Sequence, residues 1–325
     1  MKKLIRFILF FPIAVLVISL FFAQCEGKGN SSDFSVFTCL VAGYDEAAEN
    51  TDVLFIVSYS RDKNEISFVQ IPRDTFSEYN GSYGKINRIY SLSRASGKSG
   101  DDSLEELRYQ IDRYFGIKLD AAVALSFSAL VRLVDNVGGV YINVPESVRL
   151  EDMPIELSYG ENVLSGEEAL KLVRARNKYP GGDLTRLDTQ KIFLEGVFHT
   201  LFERLDAKRL VKLVLTSDDE VFVDAPLLEL SALLIRDFND IKNAGVTLLT
   251  LPGEACEYNG KSYYVINRIA AVDAVKKYLH TNADGFDKNL KFTDSGNYLI
   301  NEIYERKSFS YKIYADGRTI DIKVS

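Results

Sequence analysis

The hydrophobic pattern beyond residue 33 alternates between short, densely apolar stretches and longer stretches with helical spacing. Residues 34–43, 52–60 and 65–71 are predicted strands, and the second contains a run, 53–57, that is apolar at every position. A strand that is apolar on both faces is typical of a sheet covered by helices on both sides. The polar turn at 61–64 predicts that the second and third strands pair with each other.

Helix signals follow these strands. Two capping-box patterns, at 103–106 and 165–168, predict helices that end near residues 115 and 176. The other predicted elements are helices at 127–136, 184–202, 227–238 and 270–279, and strands at 140–144 and 246–251. The alternation indicates an α/β domain over about 34–280. The strand-rich remainder, 281–325, forms a final hairpin or a small appendix.

The N-terminus predicts a membrane anchor. Residues 4–23 are apolar apart from Arg6, and Lys2 and Lys3 precede them. About 20 helical residues cross a bilayer core of about 30 Å, and positive residues before the span keep the N-terminus in the cytoplasm. Residues 1–24 are therefore read as a cytoplasmic tip and transmembrane anchor, followed by a polar linker at 25–33. A cleaved signal peptide and a lipid-modified Cys25 are the alternatives.

Composition narrows the class of partner. The chain has 325 residues, of which 46% are hydrophobic, with 18 Tyr and 20 Phe, and this excludes a mostly disordered protein. The net charge of −7, from 39 Lys and Arg against 46 Asp and Glu, disfavours nucleic acid as a partner. Any phosphate site must therefore be a local cluster of Arg or Lys.

The three cysteines and two histidines offer little chemistry. A disulfide between Cys39 and Cys256 is conceivable outside the cell, and two unrelated buried thiols are the alternative. The histidines, His199 and His280, belong to no metal-binding spacing, so zinc chemistry is disfavoured.

Two carboxylates flank the turn between the first two predicted strands. Asp45 follows the first strand and Asp52 opens the second. Carboxylate oxygens are ligands that Mg²⁺ prefers, so one interpretation is a Mg²⁺ site. The other is that both residues merely cap turns.

A Pro-Arg-Asp sequence follows the third predicted strand. Pro72 ends the strand because it lacks a backbone donor. Arg73 and Asp74 then lie at the edge of the sheet, and Lys85 and Asn87 follow in the next loop. Taken alone, this segment favours an ordinary turn with a surface ion pair.

The densest group of Arg lies between two predicted helices. Arg174 and Arg176 end one helix, the sequence Pro-Gly-Gly at 180–182 breaks it, and Arg186 and Gln190 share a face of the next. Guanidinium forks suit phosphate oxygens better than ammonium groups do. Together with Arg73 and Mg²⁺ ligands, these residues could cradle a pyrophosphate. A solvated helix face is the alternative.

Seven stretches of the sequence resemble motifs of the LytR–CpsA–Psr family of bacterial envelope phosphotransferases, in the order and spacing of that family across residues 36–202. They are VAGYD (41–45), TDVLFIV (51–57), ISFVQIPRDTF (66–76), KIN (85–87), LVDNVGGVYINV (133–144), LSGEEALKLVRAR (164–176) and DLTRLDTQK (183–191).

The resemblance implies a fold and an activity. The fold is α/β, with a mixed central β-sheet flanked by helices on both sides and one N-terminal transmembrane helix. The activity is transfer of a phospho-glycopolymer from a polyprenyl-pyrophosphate carrier to peptidoglycan, with Mg²⁺ as cofactor. The site would lie outside the bacterial cell membrane, and the polyprenyl tail would enter an apolar tunnel.

The resemblance also assigns roles to individual residues. Asp45 and Asp52 are the implied metal ligands, and Asp74 is an implied base or an orienter of Arg73. The implied pyrophosphate-binding residues are Arg73, Lys85, Asn87, Arg174, Arg176, Arg186 and Gln190. The implied catalytic residues are Arg73, Asp74, Arg174, Arg176 and Arg186.

Three departures from the family pattern leave alternatives open. Thr189 stands where most members carry Arg, Glu46 stands near the place of another Arg, and serines replace a glycine pair after KIN. Each lost cation weakens phosphate binding, because charge-assisted hydrogen bonds contribute about 1.5–3 kcal/mol. One alternative is a non-catalytic member that binds a lipid-linked precursor or the wall. The other is a pyrophosphate hydrolase of the same fold.

Overall fold

A computed structural model of the protein describes residues 35–144, 150, 155–174, 196–197, 200, 220–224, 237–281, 298–315 and 318–324. The predicted anchor at 4–23, the linker and most of the predicted helices at 184–202 and 227–238 lie outside these residues. Within the described part, no helix is both long and apolar enough to cross a membrane.

The described residues include fourteen strands and six α-helices with defined bounds, and residues 237–242 are also helical. The strands are β1 (Val36–Tyr44), β2 (Thr51–Ser60), β3 (Glu65–Gln70), β4 (Phe76–Tyr79), β5 (Ser82–Lys85), β6 (Ala121–Ser126), β7 (Val140–Val144), β8 (Gly160–Leu164), β9 (Val221–Asp224), β10 (Gly245–Thr250), β11 (Gly253–Tyr258), β12 (Lys261–Ile266), β13 (Phe309–Ala315) and β14 (Arg318–Val324). The helices are α1 (Ile89–Ala95), α2 (Gly100–Phe115), α3 (Phe127–Asn136), α4 (Gly166–Arg174), α5 (Arg268–Tyr278) and α6 (Tyr298–Glu305), and a 3₁₀ helix covers Ile86–Arg88.

The chain divides into two compact units. One contains residues 124–222 and 226–242, and the other contains 32–123, 223–225 and 243–325. The second is called the sheet unit below, because most of the large sheet lies in it, and the first is called the helical unit.

The large sheet has eight strands in the order β14-β13-β10-β3-β2-β1-β6-β9. Its strands are mixed in direction, since β3 pairs parallel with β10 and antiparallel with β2. The predicted α/β class with a mixed central sheet is therefore confirmed. Helices on both faces stay a prediction, although burial of nearly every residue of β1 and β2 requires both faces to be covered there.

The core of the sheet unit follows the apolar run that the sequence singled out. Leu54, Phe55, Ile56 and Val57 of β2 are all almost completely buried. Burying a large apolar side chain contributes about 1.5–3 kcal/mol, so this strand anchors the sheet. The predicted pairing of the second and third strands is confirmed, with Ser60 opposite Glu65 at the turn.

The helix predicted from residue 103 begins earlier than expected. Ser99 is its N-cap, and Ser99 and Asp102 make the reciprocal bonds of a capping box. Ser103 is instead buried inside α2, because the earlier serine already satisfies the first backbone donors. The capping box predicted at 165–168 is confirmed, since Glu168 accepts from the backbone N–H of Ser165 at 2.9 Å.

Two short hairpins went unpredicted although the sequence signals both. β4 and β5 are joined by Asn80-Gly81, and β11 and β12 by Asn259-Gly260. All four residues have positive φ values, between 51° and 74°, as a type I′ turn requires. Asn-Gly between apolar runs is a strong hairpin signal, and these two hairpins carry part of the candidate site.

The helical unit packs α3 against α4. Gly166 lies at this contact, where an added Cβ would come within 2.3 Å of the carbonyl oxygen of Val131. Its backbone N–H also donates to Asp135 at 2.7 Å. The boundaries of α3 agree with the predicted helix at 127–136.

The described cysteines are both buried free thiols. Cys39 lies in β1 and Cys256 in β11, and neither forms a disulfide. Burial raises the pKa of Cys39 well above its usual value, so this thiol stays protonated. The interpretation of Cys39 and Cys256 as unrelated small hydrophobes is therefore confirmed.

The C-terminal stretch contains the predicted hairpin. β13 and β14 pair antiparallel from Phe309 opposite Val324 to Ala315 opposite Arg318. β13 also pairs with β10, so the hairpin extends the large sheet. Helix α6 precedes the hairpin and was not predicted.

Candidate functional site

The antiparallel pairing of β2 and β3 brings Asp52 and Arg73 together. Phe55 lies opposite Gln70, and the backbone N–H of Ile71 donates to the carbonyl oxygen of Leu54 at 3.0 Å. Asp52 lies three residues before Phe55 in β2, and Arg73 lies in the turn three residues after Gln70, so the two residues are at the same end of this strand pair. Their side chains meet there.

Four charged residues form a continuous row at this edge: Asp52, Arg73, Asp74 and Lys85, called the charged row below. Nη1 of Arg73 donates to Oδ1 of Asp52. Nε of Arg73 lies 4.0 Å from Oδ2 of Asp74, whose other oxygen is 2.7 Å from Nζ of Lys85. Carboxylates and cations thus alternate along the row, which balances its formal charge.

The charged row is largely removed from water. The side chains of Asp52 and Arg73 are only 6% and 13% exposed. Burial lowers the pKa of the Arg73 guanidinium, and the negative charge of Asp74 opposes that shift. A buried ion pair of this kind is a costly way to stabilise a fold, because desolvation of both charges offsets much of their attraction.

The site also holds two buried polar atoms that lack a hydrogen-bond partner among the described residues. They are Nε of Arg73 and Oδ1 of Asn87. An unsatisfied buried polar group costs about 1–3 kcal/mol. An anion can satisfy the Arg73 donor, and a cation can satisfy the Asn87 oxygen, so both atoms are available to a ligand.

Asn87 is fixed beside the charged row by its backbone. Its N–H donates to the carbonyl oxygen of Arg73 at 3.3 Å, and its own carbonyl oxygen accepts from Oγ1 of Thr51 at 3.2 Å. Thr51 is fully buried at the start of β2. The start of β2, the turn after β3 and the 3₁₀ helix are thereby tied to one another.

The β4–β5 and β11–β12 hairpins hold the other end of the row. The backbone N–H of Tyr264 in β12 donates to the carbonyl oxygen of Asp74 at 2.9 Å. Lys85 ends β5, and its Nζ lies 5.6 Å from the centre of the Tyr263 ring. A cation over an aromatic face is attracted by the ring quadrupole, so Tyr263 helps to hold Lys85.

Asp45 caps a turn in the described structure. Its Oδ1 accepts from the backbone N–H groups of Ala47 and Ala48 at 3.1 and 3.2 Å. This is the turn-capping geometry of aspartate. Its assignment as a metal ligand stays a prediction, and so does that of Asp52. Among the residues that the structure describes, no group of three or more His, Cys, Asp or Glu is placed to hold a metal ion.

Four of the predicted site residues cannot be placed by their side chains. Arg174 is the last residue of α4, in the helical unit. Arg176, Arg186 and Gln190 lie outside the described residues. Their predicted roles in the pyrophosphate cradle stay predictions.

The pairing of Arg73 with Asp52 was not predicted. Taken alone, the segment at 72–74 favoured an ordinary turn with a surface ion pair, and the resemblance implied that Asp74 acts as a base or orients Arg73. The pair between Arg73 and Asp52 is buried. The signal that could have found it is the hairpin register itself. A tight turn at 61–64 fixes which residue of β2 faces each residue of β3.

The fold and the charged row indicate the class of protein. It is a mixed α/β protein whose sheet carries a candidate anion-binding site at one edge. The family model of the LytR_cpsA_psr family matches residues 24–281, and the chain belongs to this family. The resemblance noted in the sequence is therefore confirmed.

Two relatives and one solved structure illustrate the similarity. The cell wall biosynthesis protein LcpA of Corynebacterium glutamicum is 27% identical over 194 residues, which cover 54% of this chain and 37% of LcpA. The polyisoprenyl-teichoic acid–peptidoglycan teichoic acid transferase TagV of Bacillus subtilis is 25% identical over 264 residues, which cover 76% of this chain and 65% of TagV. The chain thus spans less than two thirds of either relative.

The solved structure is that of TagT bound to LIIa-WTA. It matches with a TM-score of 0.59 at 22% identity, covering 79% of this chain and 97% of that chain. At this identity the likeness shows a common fold.

Proposed function

We propose that this protein transfers a phospho-glycopolymer from a polyprenyl-pyrophosphate carrier to peptidoglycan in the bacterial cell envelope. The observation that carries the proposal is the charged row with its buried Arg73, whose Nε has no hydrogen-bond partner among the described residues. Membership of the LytR_cpsA_psr family and the names of TagV and LcpA support the same activity.

The charged row suits phosphoryl transfer. The acceptor hydroxyl forms a bond to the phosphorus that carries the glycopolymer, and the bond from that phosphorus to the polyprenyl phosphate breaks. Arg73 and Lys85 neutralise the charge that develops on the phosphate oxygens, which is the main demand of this chemistry. The leaving polyprenyl phosphate takes the bonding electron pair with it.

Asp74 has two assignable roles in this reaction. Its carboxylate lies between Lys85 Nζ, at 2.7 Å, and Arg73 Nε, at 4.0 Å. These contacts favour the role of orienting both cations, and a carboxylate at this place can also take the proton of the acceptor hydroxyl.

The chemistry of two side chains at the site supports a proposed magnesium ion. Asp52 offers carboxylate oxygens, and the Oδ1 atom of Asn87 is a buried acceptor without a donor in the described part of the chain. Both are the hard oxygen ligands that Mg²⁺ requires, so we assign Asp52 and Asn87 to hold it, with Asp45 as a further predicted ligand. When bound, Mg²⁺ would neutralise phosphate charge.

The remaining parts of the proposal concern residues whose side chains are not described. Arg174, Arg176, Arg186 and Gln190 would complete the pyrophosphate cradle. Residues 4–23 would anchor the protein in the membrane, with residues 34–280 forming the extracytoplasmic domain.

The test is release of polyprenyl phosphate from a polyprenyl-pyrophosphate-linked sugar by the full chain in detergent with Mg²⁺ and a peptidoglycan acceptor. We expect Arg73→Ala and Arg174→Ala each to lose at least about 100-fold in rate, as removal of one charge-stabilising donor does elsewhere. Arg132→Ala is the matched control, because this Arg pairs with Glu220 on the surface of the helical unit.

Each other outcome leads to a different conclusion. Unchanged release by Arg73→Ala would contradict the role of the charged row. Tight lipid binding without release would favour a non-catalytic member of the family. Release that continues undiminished when the acceptor is withheld would favour a pyrophosphate hydrolase.

A further inference from the structure

An aromatic group adjoins the charged row in the sheet unit. It consists of Phe76, Tyr83, Tyr258 and Tyr263, from the β4–β5 and β11–β12 hairpins. Phe76 is the centre: its ring contacts Tyr263 edge-on, with centroids 5.0 Å apart, and stacks on Tyr83, with centroids 5.5 Å apart and planes inclined by 19°. The packing holds these rings in fixed orientations.

One ring of this group is open to solvent. The Tyr83 side chain is 50% exposed although Phe76 stacks against it, whereas Phe76 and Tyr263 are buried. Tyr109 on α2 and Tyr159 are similarly exposed, but in the described part of the chain only Tyr83 of these three stacks on another ring. Tyr83 is therefore an exposed ring that stacks on a buried one.

The pairing of the hairpin places Tyr83 and the charged row on one face. Phe76 lies opposite Lys85 and Glu78 lies opposite Tyr83, so all four side chains point to the same side of the β4–β5 hairpin. Tyr83 and Lys85 are two residues apart on β5, which separates their Cα atoms by about 7 Å. That is about the span of a sugar ring and the phosphate attached to it.

We propose that Tyr83 is a sugar-binding platform, on which the sugar directly attached to the phosphate of the donor stacks while that phosphate binds at Lys85 and Arg73. An exposed aromatic face next to fixed cations matches a ligand with an apolar ring face joined to an anion. This inference rests on the proposed function, since it names a subsite of the same site.

The platform requires the ring of Tyr83 and not its hydroxyl. Stacking uses the aromatic face, so Tyr83→Phe keeps the interaction and Tyr83→Ala removes it. Phosphate alone does not reach the ring, so its binding does not depend on residue 83. These contrasts separate a sugar platform from a residue that merely supports the hairpin.

The experiment is titration of the full chain in detergent with N-acetylglucosamine 1-phosphate and, separately, with inorganic phosphate, followed by saturation-transfer NMR. We expect Tyr83→Ala to bind the sugar phosphate about tenfold more weakly, which corresponds to one aromatic stacking contact. We expect it to bind inorganic phosphate as the wild type does. Tyr83→Phe and the control Tyr109→Ala should match the wild type with both ligands.

Three results would overturn the proposal. The first is equal binding of the sugar phosphate by the wild type and Tyr83→Ala. The second is an equal loss of sugar phosphate and inorganic phosphate in that variant, which would place the effect on the charged row. The third is no binding of the sugar phosphate by the wild type. Sugar-phosphate binding that depends on Tyr83, in a protein that releases no polyprenyl phosphate, would retain the platform and reject the proposed transfer.

Discussion

Two of the arginine–carboxylate pairs in the molecule, one in each unit, lie in opposite environments. Arg73 and Asp52, in the sheet unit, are 13% and 6% exposed, and Nε of Arg73 has no hydrogen-bond partner among the described residues. Arg132 and Glu220, in the helical unit, are 44% and 43% exposed. The first pair is buried and keeps one hydrogen-bond donor unsatisfied among the described residues, whereas the second pair is exposed to solvent.

One carboxylate oxygen of the second pair accepts several hydrogen bonds. Oε2 of Glu220 accepts from Ser126 at 2.6 Å, from Ser128 at 2.7 Å and from Arg132 at 2.8 Å. The hydrogen bond from Ser126, followed by those from Arg132 and Ser128, lowers the pKa of Glu220 to about 2. This cluster ties the start of α3 to residue 220.

The difference between the regions separates a structural ion pair from a binding site. An exposed pair costs little to form and contributes about 0–1 kcal/mol. A buried pair with an unsatisfied donor is expensive, so it persists where a ligand completes it. Three changes test that contrast, beginning with the one expected to have the largest effect.

The largest effect on the free energy of unfolding is expected when the arginine of each pair is replaced. Arg73→Met leaves the Asp52 carboxylate buried without its cation, which typically costs about 3–5 kcal/mol. Arg132→Met leaves Glu220 exposed to water, so its cost should stay below about 1 kcal/mol. The measurement is the free energy of unfolding of each variant of the full chain in urea.

A double variant shows whether the stability effect belongs to the pair. Asp52→Leu combined with Arg73→Met removes both charges, and we expect it to recover most of the lost stability while polyprenyl phosphate release stays abolished. Equal stability losses for Arg73→Met and Arg132→Met would remove the distinction between the two regions.

The second effect concerns the cap of α3. Ser126 is the N-cap of this helix: its Oγ accepts from the backbone N–H of Ala129 at 3.0 Å and donates to Glu220. Ser126→Ala should therefore cost about 1 kcal/mol, the usual value of a lost N-cap. Ser128→Ala is the matched control, because it removes side-chain contacts to Glu220 and Ser126 but leaves the bond from the Ala129 N–H to Ser126, and it should cost less than half as much.

Unfolding in urea compares these two serine variants. A larger loss for Ser128→Ala than for Ser126→Ala would mean that the Glu220 contact, and not the cap, secures the start of α3.

The sequence predicted the regular parts of both regions better than their contacts. The apolar run at 53–57 predicted a buried central strand, and the helical spacing at 127–136 predicted α3 with its observed ends. Both are local signals of periodicity and composition. The N-cap of α2 was predicted at the wrong serine. Ser99 and Ser103 both begin a capping-box pattern, and the pattern alone does not show which of them caps the helix.

The sequence predicted which residues belong to the candidate site but not which of them contact one another. Arg73, Asp74, Lys85 and Asn87 were all named from motifs, yet their partners depend on strand register and on hairpins. The Asn-Gly pairs at 80–81 and 259–260 signalled both hairpins, but which rings and charges meet across them depends on tertiary packing. The exposed platform at Tyr83 is of this kind, since no local pattern distinguishes it from Tyr109.

The smallest expected effect is the pH dependence of stability that comes from Glu220 and its contacts with Ser126, Ser128 and Arg132, called the exposed cluster below. The folded pKa of Glu220, about 2, lies below its usual 4.5, so the folded state favours the charged form. The stability that this charge adds is therefore fully present above about pH 4.5 and is lost as the pH falls toward 2. Because Glu220 and Arg132 are more than two-fifths exposed, solvent screening should keep the whole effect below about 1 kcal/mol.

Glu220→Gln isolates the stability that the charge of Glu220 adds, because the amide oxygen can still accept from Ser126 and Ser128 but carries no charge. The difference in unfolding free energy between the wild type and Glu220→Gln should be greatest near neutral pH and shrink as the pH falls through the folded pKa of about 2. Other carboxylates titrate in the same range, but they do so equally in both proteins and cancel from the difference. A difference that stays constant from neutral pH to pH 2 would mean that the charge of Glu220 adds no stability. The exposed cluster would then act through its hydrogen bonds alone, and the contrast with the buried charged row would become sharper still.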